Sequence, residues 1–394
     1  MKPNVELLND LSQTTQQLIH ALRERQASPE HLKVLKRRWK LTDAARLLNI
    51  SEPHLRRLAR DGKIPPGEPT ASQRRSFSLT ELNEIRRCLN REVYRDAATD
   101  KCFRLVVSNF KGGSNKTTIA CHLAQHFALF GYRVLLIDLD PQGSATSLLF
   151  PHNRIELEQW ATVYPYLVGD MTTLRTVLQP TAWDNITLIP ACLALYAAEF
   201  QLPSLNSQVP GFRFWERLES GLQTVEEDFD LIVIDTPPAL SYLTLNAVWA
   251  ADGLLVPTPA SMLDMQALGS YFEGMYASLR SIEDASSRQK DFTFLRVLIT
   301  NYRGSSIPEQ VTAGWIRKMF AEYVMDGVVL NSAAVQTAMT QMRTLYEIDP
   351  ADAGDKTYRR ALDSFNEVSN ELLRLIQTAW PSLHKLAAKE VVHG

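Results

Sequence analysis

The chain has 394 residues, 45% of them hydrophobic and 22% charged, with a formal net charge of −2 and four widely spaced cysteines, Cys88, Cys102, Cys121 and Cys192. This is an ordinary globular composition, long enough for one large core or two unequal ones, and it argues against a disulfide framework or a CxxC zinc site. Met1 is followed by polar sequence without a signal-type apolar core, and no window approaches the ~18 apolar residues of a membrane span, so a cytoplasmic protein without membrane attachment is expected.

Within 1–35, the stretch VELLNDLSQTTQQLIHALRERQ places Leu7, Leu8, Leu11, Leu18, Ile19 and Leu22 on one stripe at steps of three and four. The spacing predicts an amphipathic helix. Such a helix needs a partner, either its own chain or a second copy, and a homodimer contact is the expectation.

Charge is concentrated in the next segment. Between Lys36 and Arg75 stand eleven Lys and Arg against four Asp and Glu, which leaves the rest of the chain acidic and suggests a polyanion partner for this segment. Here Thr42 can cap a short helix over Asp43 to Leu48, Asn49 suits a turn, and Ser51 can cap a second helix that Gly62 and Pro65 end. Two short helices joined this way form a helix-turn-helix, whose second helix would present His54, Arg56, Arg57 and Arg60 to base edges. RRSFSLTEL then resembles the wing and following helix of MerR-type winged modules, with Arg74 and Arg75 placed for phosphates. Residues 36–98 are therefore expected to be a winged helix-turn-helix DNA-binding domain.

From 99 to 394 the pattern becomes α/β. FRLVVSN, RVLLIDLD, ITLIP, LIVIDTPP, GLLVPTP and FTFLRVLITNY are continuous apolar runs separated by helical stretches, which implies a mostly parallel sheet flanked by helices. The first run leads into FKGGSNKTT and then a helical stretch, the strand, glycine loop and helix order of a phosphate cradle. Its backbone N–H groups would wrap phosphates, with Lys116 on the β and γ oxygens and Thr117 on Mg²⁺. The strict GxxxxGK[ST] pattern fails, because Phe110 and Asn115 replace its glycines. Asparagine tolerates the left-handed region that the second position can require. Asp138 and Asp140 stand at the mouth of the second run, and Asp235 ends LIVID, where it suits the shell of a magnesium ion.

KGGSNKTT, DLDPQGSAT, VIDTPPALS and VPTPASMLD together resemble the ParA partition ATPases, a deviant Walker group. The N-terminal helix and winged module extend the resemblance to the longer plasmid members, including RepA of repABC replicons. The resemblance implies a deviant P-loop ATPase that uses ATP/ADP and Mg²⁺. It assigns phosphate contacts to Lys111, Gly112, Gly113, Ser114, Asn115, Lys116, Thr117 and Thr118. Lys111 becomes the signature lysine that reaches the phosphates of a second subunit, Asp140 the carboxylate that orients the attacking water, and Asp138 a member of the nucleotide-sensing switch. Thr117 and Asp235 attend the metal, and Pro257, Pro259 and Asn301 lie near adenine. MTQMRTLYE resembles the segment that carries basic residues for nonspecific DNA, of which Arg343 is kept while Thr337 and Gln341 stand where relatives often have Lys or Arg. Implied partners are operator DNA, nonspecific nucleoid DNA and a ParB-type centromere-binding protein. The cysteine ligands of an iron protein and a basic amphipathic tail are not apparent, which disfavours reductase and membrane-attachment readings. The rival from another class is a transcriptional repressor that senses nucleotide and hydrolyses it incidentally.

Overall fold

The computed structural model of the chain describes residues 4–26, 33–70, 75–91, 95–150, 159–349 and 356–383. Asn4–Gln26 forms helix α1, with Val5, Leu7, Leu8, Leu11 and Leu18 exposed along it. The side chains of Ile19 and Leu22 lie outside the described residues.

The basic segment builds a small unit of three strands and three helices: β1 (Trp39–Lys40), α2 (Leu41–Leu47), α3 (Glu52–Arg60), β2 (Glu68–Pro69), β3 (Arg75–Phe77) and α4 (Leu79–Cys88), with strand order β1-β3-β2. Asn49 takes the turn between α2 and α3 at φ 51°. Ser51 caps α3, its hydroxyl accepting the His54 N–H at 3.4 Å. Thr42 does not cap α2: β1 runs directly into the helix at Leu41, so Lys40 occupies the cap position and Thr42 sits in the first turn. Gly67 turns β2 at φ +68°, where a Cβ would fall 2.8 Å from the Phe77 ring and the Ser76 carbonyl, so the close approach requires glycine. Ser78 and Glu81 close a reciprocal capping box on α4.

This unit is packed onto the rest of the chain. Trp39 meets Trp183 edge-on at 6.4 Å, Asn83 bonds Asn185 at 2.9 Å, and the buried Arg86 donates to the Leu129 carbonyl. Buried Arg37 donates to the carbonyls of Leu345 and Tyr346 at 3.2 and 2.9 Å, and Arg38 pairs with Glu81 at 2.6 Å. Two arginines of the basic island are thus structural, a distinction that charge counting does not make.

The six apolar runs form six parallel strands: β4 (Phe103–Val107), β5 (Val134–Asp138), β7 (Ile186–Ile189), β8 (Leu231–Asp235), β9 (Gly253–Pro259) and β10 (Phe294–Thr300). A two-residue strand β6 (Gln179–Pro180), which the sequence pattern gives no sign of, adds antiparallel to β7. The order is β10-β9-β4-β8-β5-β7-β6. Alternate strand residues feed two cores. Leu105, Val107, Leu136 and Val233 face one side, packed with helix α5 (Lys116–Leu129), the small basic unit and α14 (Lys356–Thr378). Val106, Ile137, Ile232 and Ile234 face the other. On that second side lie α8 (Tyr196–Gln208), α10 (Tyr242–Ala250), α11 (Met262–Ser286) and α12 (Ile307–Phe320), among others. Burial on both faces explains why these strands read as unbroken apolar runs.

Candidate nucleotide site and nucleic-acid face

The carboxyl ends of β4, β5, β8, β9 and β10 converge on the loop between β4 and α5, the edge where open α/β sheets bind ligands. Asn115, immediately before α5, adopts φ 71° and ψ 21°, and Gly113 lies at φ 76°. The left-handed conformation that a glycine would supply is therefore carried by asparagine, as its side-chain chemistry allows. The Asn115 amide also donates to Asn301 Oδ1 at 2.8 Å, while Asn301 donates to the Gly113 carbonyl at 3.2 Å. The end of β10 is thereby fastened to the loop, a contact no local sequence pattern announces.

Lys116 is buried and held toward the loop, its ammonium donating to the Lys111 carbonyl at 3.1 Å; burial lowers its pKa, opposed by Asp235 and Asp140. Ser114 donates to the same carbonyl at 3.1 Å. Gly112 and Gly113 are exposed, and Thr117 and Thr118 lie in the first turn of α5. Lys111 Nζ lies 2.6 Å from Asp264 Oδ1 of its own chain.

Asp138 and Asp235 are register partners at the ends of neighbouring strands, both fully buried. The two differ in satisfaction. Asp138 accepts the Asp140 N–H at 3.1 Å and both the N–H and the hydroxyl of Thr146 at 2.8 Å. Apart from the nearby Thr117 hydroxyl, nothing among the described residues offers the oxygens of Asp235 a hydrogen bond. Burial, and then Asp138 beside it, push the Asp235 carboxyl far above the ordinary range, while Thr117 and Lys116 pull the other way. An anionic group in that condition is costly unless something positive meets it. Asp235 and Thr117 are hard oxygen donors, so the pair fits a divalent cation of the Mg²⁺ type. Asp140 is half-exposed at the loop, accepting the Gln142 N–H at 3.0 Å.

A cavity of about 410 Å³ opens beside the loop, lined by Asn115, Pro259, Asn301, Asn331, Ser332 and Gln336, among others. Pro259 and Asn301, the expected adenine neighbours, both line this cavity. Pro257 is not at the cavity: it is buried inside β9, its carbonyl accepting from Asn109 at 2.7 Å. Asn331, Ser332 and Gln336 went unnoticed in sequence because they follow a late loop without strand or glycine punctuation.

On the small basic unit, Arg56, Arg57 and Arg60 are exposed on α3, His54 is half-buried and bonded to Arg57 at 3.0 Å, and Lys63 follows exposed. Arg75 donates to the Pro66 carbonyl at 2.6 Å, which ties it to the turn before β2. Arg74 lies outside the described residues. Arg343 is exposed with no acidic partner among the described residues, far in sequence from this unit.

Strand, loop and helix at this sheet edge define a P-loop nucleotide-binding fold. A family model described as an AAA domain matches residues 104–286. A putative replication protein A of Sinorhizobium fredii is 34% identical over 376 residues, covering 92% of this chain and 91% of the relative. The chromosome-partitioning ATPase Soj of Thermus thermophilus is 32% identical over 260 residues, 66% of this chain and 94% of the relative. A solved structure of a partition protein superposes with a TM-score of 0.68 over 95% of this chain and 99% of its own; at 19% identity the likeness is one of fold. Cobyrinic acid a,c-diamide synthase of Mycobacterium smegmatis, solved with a bound ATP analog and magnesium, is 26% identical with a TM-score of 0.54, covering 69% of this chain and 95% of that one. The chain belongs to the ParA/Soj family of partition ATPases. Among the described residues no helix is long and apolar enough to cross a membrane.

Proposed function

We propose that this chain is an ATP- and Mg²⁺-dependent partition protein of a plasmid or similar replicon, which binds its own operator through the winged unit and nonspecific nucleoid DNA in its ATP-bound dimer. The observation that carries the reading is Asp235, a fully buried carboxylate faced by the Thr117 hydroxyl and the buried Lys116 and with no other donor for its oxygens among the described residues. Thr117 and Asp235 would hold Mg²⁺, whose charge, when bound, neutralises the oxygens of the transferring phosphoryl group. Lys116 and the N–H groups from Gly112 to Thr118 bind the β and γ phosphates at the positive end of α5. Asp140 orients the attacking water and accepts its proton, and Asp138 anchors that loop through Thr146. Lys111 is supplied to the phosphates of a second copy, which makes dimerisation and hydrolysis interdependent. Pro259 and Asn301 flank the base. The exposed apolar face of α1 is read as a further contact between two copies.

His54, Arg56, Arg57 and Arg60, presented by a helix that Ser51 caps, support operator binding, and Arg75 supports a backbone contact. Arg343 supports a contact to DNA phosphates in the nonspecific mode. A ParB-type product of the neighbouring gene is the expected stimulating partner. The test is ATP turnover of the purified chain alone, with DNA, and with that partner. Weak turnover that rises with both supports the reading, and turnover indifferent to both sinks it. Replicon retention in cells carrying Asp140→Ala separates the rival: loss of the replicon marks partition, whereas normal segregation with lost operator repression marks a nucleotide-sensing repressor.

A further inference from the structure

We propose that Asp264 is a positioning residue that holds Lys111 within its own chain, so that the lysine reaches a second copy only when this ion pair opens. The inference rests on the reading of Lys111 as a residue supplied in trans. The acceptor is built rather than incidental. Asp264 lies in the first turn of α11 with its side chain 11% exposed, its Oδ2 accepts from the Ser261 hydroxyl, and its backbone N–H donates to Ser261 Oγ at 3.2 Å. The helix cap therefore fixes the carboxylate, and motion is left to the lysine.

Lys111 is fixed at its backbone, while its side chain is held only at the tip, by Asp264. Its N–H donates to Asn109 Oδ1 at 3.0 Å and its carbonyl accepts from Lys116 and Ser114, yet its side chain is 37% exposed. A four-carbon stem on an anchored base can swing without disturbing the loop. Ser261 and Pro259 line the cavity beside the loop, so the acceptor stands on the edge that nucleotide would occupy. A triphosphate carries more negative charge than one carboxylate. It would therefore outbid Asp264 for the ammonium once a second copy presents it, and the competition would tax dimer formation in proportion to the closed fraction.

The experiment uses the full chain with Asp264→Asn, which keeps the Ser261 bonds and removes the charge. ATP-dependent dimerisation is followed by sedimentation, basal ATP hydrolysis by phosphate release, and single-chain nucleotide affinity with a fluorescent ADP. Expected are dimers at about three- to tenfold lower protein concentration, basal hydrolysis raised in step, and unchanged ADP affinity. Asp264→Glu, which retains the charge, restores wild-type behaviour. Asp264→Ser is the second charge-free variant should the first fold poorly. In a Lys111→Ala background, Asp264→Asn should have no further effect. If Lys111→Ala alone leaves dimerisation and turnover intact, the trans-lysine reading fails. If Lys111→Ala is inactive but both charge-free Asp264 variants dimerise at or above the wild-type concentration, that reading stands and the restraint is overturned.

Discussion

The loop at the sheet edge and helix α3 both display cations, but they do so in opposite conditions. Lys116 is buried, bonded and set among carboxylates, whereas Arg56, Arg57 and Arg60 stand exposed on α3. Buried charge is costly and is kept where a bound group compensates it, so the loop describes a small, strongly charged ligand. Exposed arginines cost little and reach outward, which suits an extended polyanion. The same residue type therefore signals different ligands, and burial is what separates them.

The comparison is most sharply tested at Asp140. Asp140→Ala removes the carboxylate that we propose orients the attacking water while leaving the cradle intact. Turnover should drop by about 10²- to 10⁴-fold with ATP binding retained. Phosphate release in single turnover, alongside a binding titration, reads both. A parallel loss of affinity would mean that Asp140 belongs to the cradle rather than to the chemistry.

Burial also predicts how the α5 side responds to acid. His122 stacks on Phe365 at 4.1 Å and His126 is held by Tyr346, Asn366 and Asn370, and burial pushes both imidazoles down to about 4. Below the ordinary value of about 6.5 the unfolded chain takes up protons that the folded chain refuses. Their contribution is therefore full above pH ~6.5, lost as pH falls toward ~4, and constant below. Each ring accounts for up to about 3 kcal/mol across that window. Asp138 and Asp235, raised by burial, act in the opposite sense, since the folded chain holds their protons longer and stability declines as pH rises past the carboxylate range. Urea unfolding between pH 4 and 7.5 for the chain and for His126→Gln checks the sign, and the substitution should flatten the acid arm.

On the other region, Arg56→Ala and Arg57→Ala should each weaken operator binding by about 1–3 kcal/mol. ATP turnover should be unaffected, because the nucleotide site is built from other residues. Arg57→Ala also frees His54, so its loss should be the larger. Gel-shift titration at fixed salt decides it, and unchanged operator affinity for both variants would remove α3 as the reading helix.

The six principal strands, the loop and the capped α3 were all legible because each is written in local chemistry: unbroken apolar runs, glycines, and Ser51 three residues before a donor. Contacts between distant segments were not legible. Nothing near Lys111 points to Asp264, although Ser261 and Asp264 have helix-cap spacing. Arg37, Arg38 and Arg86 count as cations until the fold shows Arg37 and Arg86 spent on carbonyls and Arg38 on Glu81. Pro257 and Pro259 differ for a related reason: a proline-rich strand end does not say which proline lies inside the strand and which lines the cavity.

The smallest effect tests the finest point of the loop. Asn115 combines a left-handed backbone with an amide bond to Asn301. Asn115→Gly removes the bond, worth about 0.5–1.5 kcal/mol, while relieving the backbone, so nucleotide affinity should stay within about tenfold, or roughly 1.4 kcal/mol. Asn115→Ala loses the bond and adds a left-handed cost of about 1–2 kcal/mol. Affinity should then fall in the order Asn, Gly, Ala, measured by fluorescent-nucleotide titration. A glycine variant weaker than the alanine variant would show that backbone conformation does not govern this position, and that the glycine-like reading of Asn115 is mistaken.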